Sequence, residues 1–159
     1  QNKLMKYKNK NNIGISWKSF NNRYSSDKSL DLDNFKDIFE LPNCNVFNLQ
    51  YGEVLDEINE FNNRKNKLIS IEGLDLYNDF EGIASLLKSL DIFITISNST
   101  AHLAGSLGVK TLLIKPYNYA LFHYWNQKNN KTPWYNSVEL IERKDFLNGT
   151  INLGNYINL

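Results

Sequence analysis

Cysteine is nearly absent from this chain of 159 residues: Cys44 stands alone, so an intrachain disulfide and a cysteine-based zinc cluster are both excluded. Histidine is almost as scarce, with only His102 and His123, which argues against a histidine-rich metal site. A reducing, cytoplasmic setting fits this usage. Charge of one sign is also missing. The chain carries 18 basic and 17 acidic residues for a net charge of +1, so bulk charge does not support binding to nucleic acid or another polyanion. No apolar run approaches the ~20 residues of a membrane span. The polar, basic start QNKLMKYKNKNN lacks the apolar centre of a signal peptide, and residues 1–12 read as a linker or cut end. No GxxxxGK[ST] loop is present, nor GxGxxG after the first strand, nor CxxC or HExxH; the P-loop and standard dinucleotide classes are disfavoured. His123 has no adjacent acid and nucleophile with which to form a triad.

What remains is an ordinary globular composition, 42% hydrophobic, with enough aromatic residues to build a core. Residues 13–159 read as one domain without internal repeats. Short apolar runs alternate with amphipathic stretches. Strands are expected at 13–17, 45–49, 67–71, 91–96, 110–114 and 137–141. Helices are expected at 33–41, capped by Asp31 or Asp33, and at 53–61, 80–90 and 100–107, the last stopped by Gly108. Residues 18–31 read as a polar loop and 115–134 as a long aromatic connector that covers a cleft or packs on a partner domain. A final helix is expected after Lys144. Strand–helix alternation with short links implies an α/β, Rossmann-like doubly wound parallel sheet. Ligands of such sheets lie outside the C-terminal strand ends near the switch point, which directs attention to the loops after Trp17, Leu49 and Ile96.

The sharpest segment is SNSTAHLAGSLGVKT, residues 97–111. A buried strand passes directly into a helix whose first N–H groups and dipole favour an anion. Ser97, Asn98, Ser99 and Thr100 place small polar groups there, and His102 follows in the first turn with Ser99 and Ser106 on its face. An N-cap on an ordinary polar helix satisfies the same pattern. In GISWKS, Lys18 ends the first strand and can reach an anion; Arg23 further along reads as solvated. In NLQYG, Gln50 has an amide suited to a base edge, and Tyr51 and Gly52 allow close approach of a planar ring; a plain strand–helix turn accounts for the same residues. Asp75 and Asp79 read as turn and helix-start residues, and Cys44 as a small buried one.

The segment LDIFITISNSTAHLAGSLGVKTLLI, residues 90–114, resembles the C-terminal domain of heptosyltransferase-like (family 9) glycosyltransferases and of related bacterial proteins in which TPR repeats precede it. More distantly it resembles the O-GlcNAc transferase catalytic region. GISWKS is similar to the family's first strand, FNLQYGE to its second, and TPWY at 132–135 to a later SPWYP-like element, in the same order from Ile13 to about Arg143. Asn98 departs from the family's usual Asp or Gly, and Thr111 from its usual Pro.

The resemblance implies the C-terminal half of a GT-B fold facing a second, N-terminal Rossmann-like domain that supplies the catalytic base. The implied substrate is a nucleoside diphosphate sugar, with no metal or other cofactor, and the isolated domain would be inactive. Ser97, Ser99, Thr100, His102 and Lys18 would meet the donor diphosphate, and Gln50 and Tyr51 the base or ribose. A non-catalytic nucleotide-binding or TPR-associated interaction module and a GT-B-like sugar-nucleotide epimerase are the alternatives.

Overall fold

A computed structural model describes residues 7, 9–20, 23–64, 67–117, 120–125 and 130–157. Most of the expected linker and parts of the aromatic connector, 118–119 and 126–129, lie outside the described residues. Six strands form one sheet in the order β3-β2-β1-β4-β5-β6. They are β1 (Asn11–Ser16), β2 (Cys44–Asn48), β3 (Leu68–Ile69), β4 (Ile92–Ile96), β5 (Thr111–Ile114) and β6 (Val138–Ile141). All five pairings are parallel, with Ile13 opposite both Val46 and Ile92, and Leu113 opposite both Thr95 and Leu140. This is the doubly wound Rossmann-like arrangement.

The β4 run IFITI is buried at every position because helices cover both faces. Ile92, Ile94 and Ile96 join Ile13 and Ile15 on one face, beneath Phe35 and Ile38, the helix α2 (Leu55–Asn62) and the short α5 (Arg143–Leu147). Phe93 and Phe47 point to the other face, against α3 (Phe80–Leu87) and α4 (Ser99–Ser106). Removing any one of these fully buried rings would cost about 3–5 kcal/mol. Gly14 in β1 is required by proximity: a Cβ there would lie 2.4 Å from Leu90 Cδ1 and 2.7 Å from Leu49 Cδ1.

Several expected bounds shift. β1 begins at Asn11, inside the stretch assigned to a linker, and ends before Trp17. The segment expected at 33–41 is a 3-10 helix, Leu32–Glu40. Its buried side chains Leu32, Phe35 and Ile38 recur every third residue, the period of that helix. Asp31 precedes it, its N–H donating to Asn34 Oδ1 at 3.0 Å. The polar loop 18–31 contains a one-turn helix, α1 (Ser25–Lys28). β3 shrinks to two residues. The C-terminal segment carries α5 and a 3-10 turn, Leu153–Tyr156. Cys44 is half-buried rather than buried, because it opens β2 at the sheet's lower rim, where its thiol meets the Pro42 carbonyl at 3.3 Å. No helix among the described residues is long and apolar enough to cross a membrane.

Candidate functional site

The chain leaves β1 toward β2 and leaves β4 toward β5, so the C-terminal ends of β1 and β4 flank the switch point. Side chains stitch this point closed. The Ser16 and Thr95 hydroxyls lie 2.6 Å apart, and Asn98 Nδ2 donates to Ser16 Oγ at 2.9 Å. The same Asn98 side chain caps α4, its Oδ1 accepting from Ala101 N at 3.0 Å. Asn98 therefore locks the start of α4 to β1. With the third N–H of the helix so occupied, those of Ser99 and Thr100 have no acceptor among the described residues.

A cavity of about 320 Å³ opens beside these two residues. Ser99 and Thr100 form one wall, Tyr51 another, and Tyr77, Phe80 and Leu76 a third. Tyr51 packs its ring 5.6 Å from Phe20 and 5.9 Å from Tyr77. Tyr77 and Phe80 are 67% and 64% exposed, an open aromatic collar that a flat ring can enter. Asp75 shapes the loop that presents Tyr77, accepting from the N–H groups of Tyr77 at 2.8 Å and Asn78 at 3.1 Å. The Asn78 side-chain amide, and then these two backbone bonds, hold its carboxyl below the ordinary range. Asp79 caps α3 through Gly82 N. Both aspartates serve the turn and the helix start.

The opposite flank of α4 meets the aromatic connector. His102 stacks on Trp125 with ring centroids 4.6 Å apart, and its Nδ1 lies 3.0 Å from the Tyr135 hydroxyl. Burial, and then the charge of Lys28, lower its pKa, so the imidazole is neutral at pH 7. Ser97 is buried, accepting the Trp125 indole N–H at 2.8 Å.

Lys28 completes this flank and was not legible in the sequence. It is only 4% exposed, yet its ammonium has no carboxylate or other hydrogen-bond acceptor among the described residues; it lies 4.3 Å above the Phe122 ring. Burial lowers its pKa. Its stem is buried while the ammonium keeps some contact with solvent.

The expected site residues therefore fall into two sets. Tyr51, Ser99 and Thr100 line the cavity, with His102 around the helix from them. Lys18, Gln50 and Ser97 make their polar contacts with other parts of the protein, Lys18 at a partly exposed position. Lys18 pairs with Glu57 at 2.7 Å, and Glu57 also accepts from Trp17 Nε1 and Leu32 N. Gln50, 2% exposed, takes the N–H groups of Trp17 and Lys18 on Oε1 and donates from Nε2 to the Tyr51 carbonyl. Gln50 is thus a brace between the β1 and β2 ends, and its amide is not presented to a base. Arg23 lies over the Tyr24 ring at 5.2 Å. His123 begins a 3-10 turn, His123–Trp125, in the connector.

The fold and this arrangement define an α/β domain with a cleft at the C-terminal rim of its sheet. No family model matches the chain. The chain is similar to Protein FlbA of Caulobacter vibrioides, 27% identical over 131 residues that cover 79% of this chain and 21% of that protein. The chain thus spans about a fifth of the length of the curated relative it matches.

Proposed function

We propose that this chain binds the nucleotide-sugar donor of a glycosyltransferase, as the C-terminal half of a GT-B pair whose other domain carries the acceptor site and catalytic base. The observation that carries the reading is Lys28, whose stem is buried and whose ammonium has no carboxylate partner among the described residues, beside the neutral His102. The open N–H groups of Ser99 and Thr100 begin the helix that carries His102 and border the aromatic collar. A nucleoside diphosphate spans such a site in one direction. The base stacks against Tyr51, Tyr77 and Phe80, and the phosphates sit over the start of α4 with Lys28 at their sugar-bearing end and the sugar toward His102. In transfer, the growing charge on the leaving diphosphate is met by the two amides, the Thr100 hydroxyl and the ammonium. The His102 Nε2 makes no hydrogen bond among the described residues and can donate one when the Tyr135 hydroxyl donates to Nδ1.

A non-catalytic nucleotide-binding module is the second reading, favoured by the loss of Lys18 to Glu57, which leaves fewer cations for catalysis. Both readings require diphosphate binding. Titration calorimetry with UDP, ADP and GDP tests that requirement, and transfer or hydrolysis of the matching sugar nucleotide by the longer protein separates the two. Lys28→Met and Thr100→Ala should each weaken the nucleotide that binds by about 1.5–3 kcal/mol. Unchanged affinity in both variants refutes the assigned site.

A further inference from the structure

We propose that Arg143, far from the cleft in sequence and not in contact with its cavity, is the positioning residue that sets Lys28. This rests on the diphosphate reading above. α1 is a single turn ending at Lys28, with no side-chain cap at its start, and a turn this short has little stability of its own. Its C-terminal carbonyls require partners. Arg143, the first residue of α5 beyond the end of β6, supplies them. Nη1 donates to the carbonyls of Asp27 at 3.4 Å and Lys28 at 3.2 Å, and Nη2 donates to the carbonyl of Ser29 at 2.6 Å.

The guanidinium carbon lies 4.9 Å from the Tyr117 ring centroid, and Nε is buried without a partner among the described residues. No carboxylate pairs with Arg143 there; its two terminal nitrogens donate to three successive carbonyls. The other side of the same loop is already tied down, with Ser19 N donating to Ser29 Oγ at 3.0 Å and Leu30 N to the Trp17 carbonyl at 2.8 Å. Arg143 closes the remaining side, fixing the backbone from which the Lys28 ammonium reaches over Phe122. A planar fork can hold three carbonyls in one plane, whereas a lysine in its place offers one point charge.

The test is a double-mutant cycle on the whole chain with Lys28→Met, Arg143→Ala, Arg143→Lys and the paired variants. Affinity is measured by calorimetry for inorganic pyrophosphate and for whichever of UDP, ADP and GDP binds. Lys28→Met is expected to weaken binding about 10–100-fold, and Arg143→Ala about tenfold. On the Lys28→Met background, Arg143→Ala should change affinity less than about twofold, because its effect passes through the ammonium. Arg143→Lys should lose most of what Arg143→Ala loses, and it carries the cycle if the alanine variant does not fold. An Arg143 effect of equal size on both backgrounds, or a fall in thermal stability with no change in affinity, overturns the proposal while leaving the diphosphate reading intact. Absence of binding by the wild-type chain, to pyrophosphate and to every nucleotide, overturns both.

Discussion

Gly105 is the position at which packing around the site can be tested most sharply. It lies near the end of α4, where alanine would ordinarily gain up to about 1 kcal/mol in helix propensity. Here a Cβ would lie 2.5 Å from Tyr135 Cγ and 2.8 and 2.9 Å from its two Cδ atoms. Those distances are far inside the ~3.5 Å of an ordinary carbon contact. The ring cannot step aside cheaply, because its hydroxyl is bonded to His102 and its face is 6.0 Å from Trp125. Overpacking of this kind costs about 1–3 kcal/mol. The penalty exceeds the propensity gain, so Gly105→Ala should destabilise the chain by about 1–2 kcal/mol. For a chain of this size that lowers the melting temperature by about 2–8 °C. The sign should reverse once the ring is gone. On a Tyr135→Ala background, Gly105→Ala should be neutral or stabilising by up to about 1 kcal/mol. Thermal and urea melts of the four proteins read both numbers. A stabilising Gly105→Ala in the wild type, or an equal penalty on both backgrounds, refutes the packing described.

Two further predictions concern charge. Because His102 titrates below its ordinary 6.5 in the folded chain, the unfolded chain binds more protons between those two values. Stability from this group is full above the unfolded pKa and is lost as pH falls from about 6.5 toward the lowered folded value. Urea melts at pH 7.5 and 5.5 should show a drop that shrinks in His102→Gln; an equal drop in both proteins contradicts the assignment. Glu57→Ala removes the acceptor of Trp17 Nε1 and Leu32 N together with the partner of Lys18, and should cost about 1–3 kcal/mol in urea melts. Most of that loss should persist at high salt, since the half-exposed ion pair contributes little and the stranded indole N–H contributes more. A loss abolished by salt would assign it to the ion pair.

The parallel sheet was legible because β4 is apolar at four of its five positions and short apolar runs recur in β1, β2, β5 and β6 between helical stretches. Helix ends were less so. α3 stops at Leu87 although Leu90 continues its apolar period, because Ser89 N and Leu90 N turn back to the Leu86 and Leu87 carbonyls in tighter bonds. The 3-10 helix was read as an α-helix because Phe35 and Ile38 fit either period; adding Leu32 makes the spacing of three visible. Of the cleft, the start of α4 and Tyr51 were visible from the strand that precedes each. Lys28 was not, since a lysine among serines and aspartates reads as solvated; its burial depends on Phe122 and on the Arg143 clamp, both distant in sequence. The internal roles of Gln50 and Lys18 were hidden for the same reason, as their partners come from neighbouring strand ends and from α2.

The central claim is that a nucleoside diphosphate lies across the start of α4, and amide-resolved NMR titration tests it most directly. With UDP, ADP and GDP added in turn, at least one should shift the backbone signals of Ser99 and Thr100 together with those of Tyr51 and Tyr77, and far less in Lys28→Met. Saturable shifts confined to other surfaces, or none with any nucleotide in the folded chain, would contradict it.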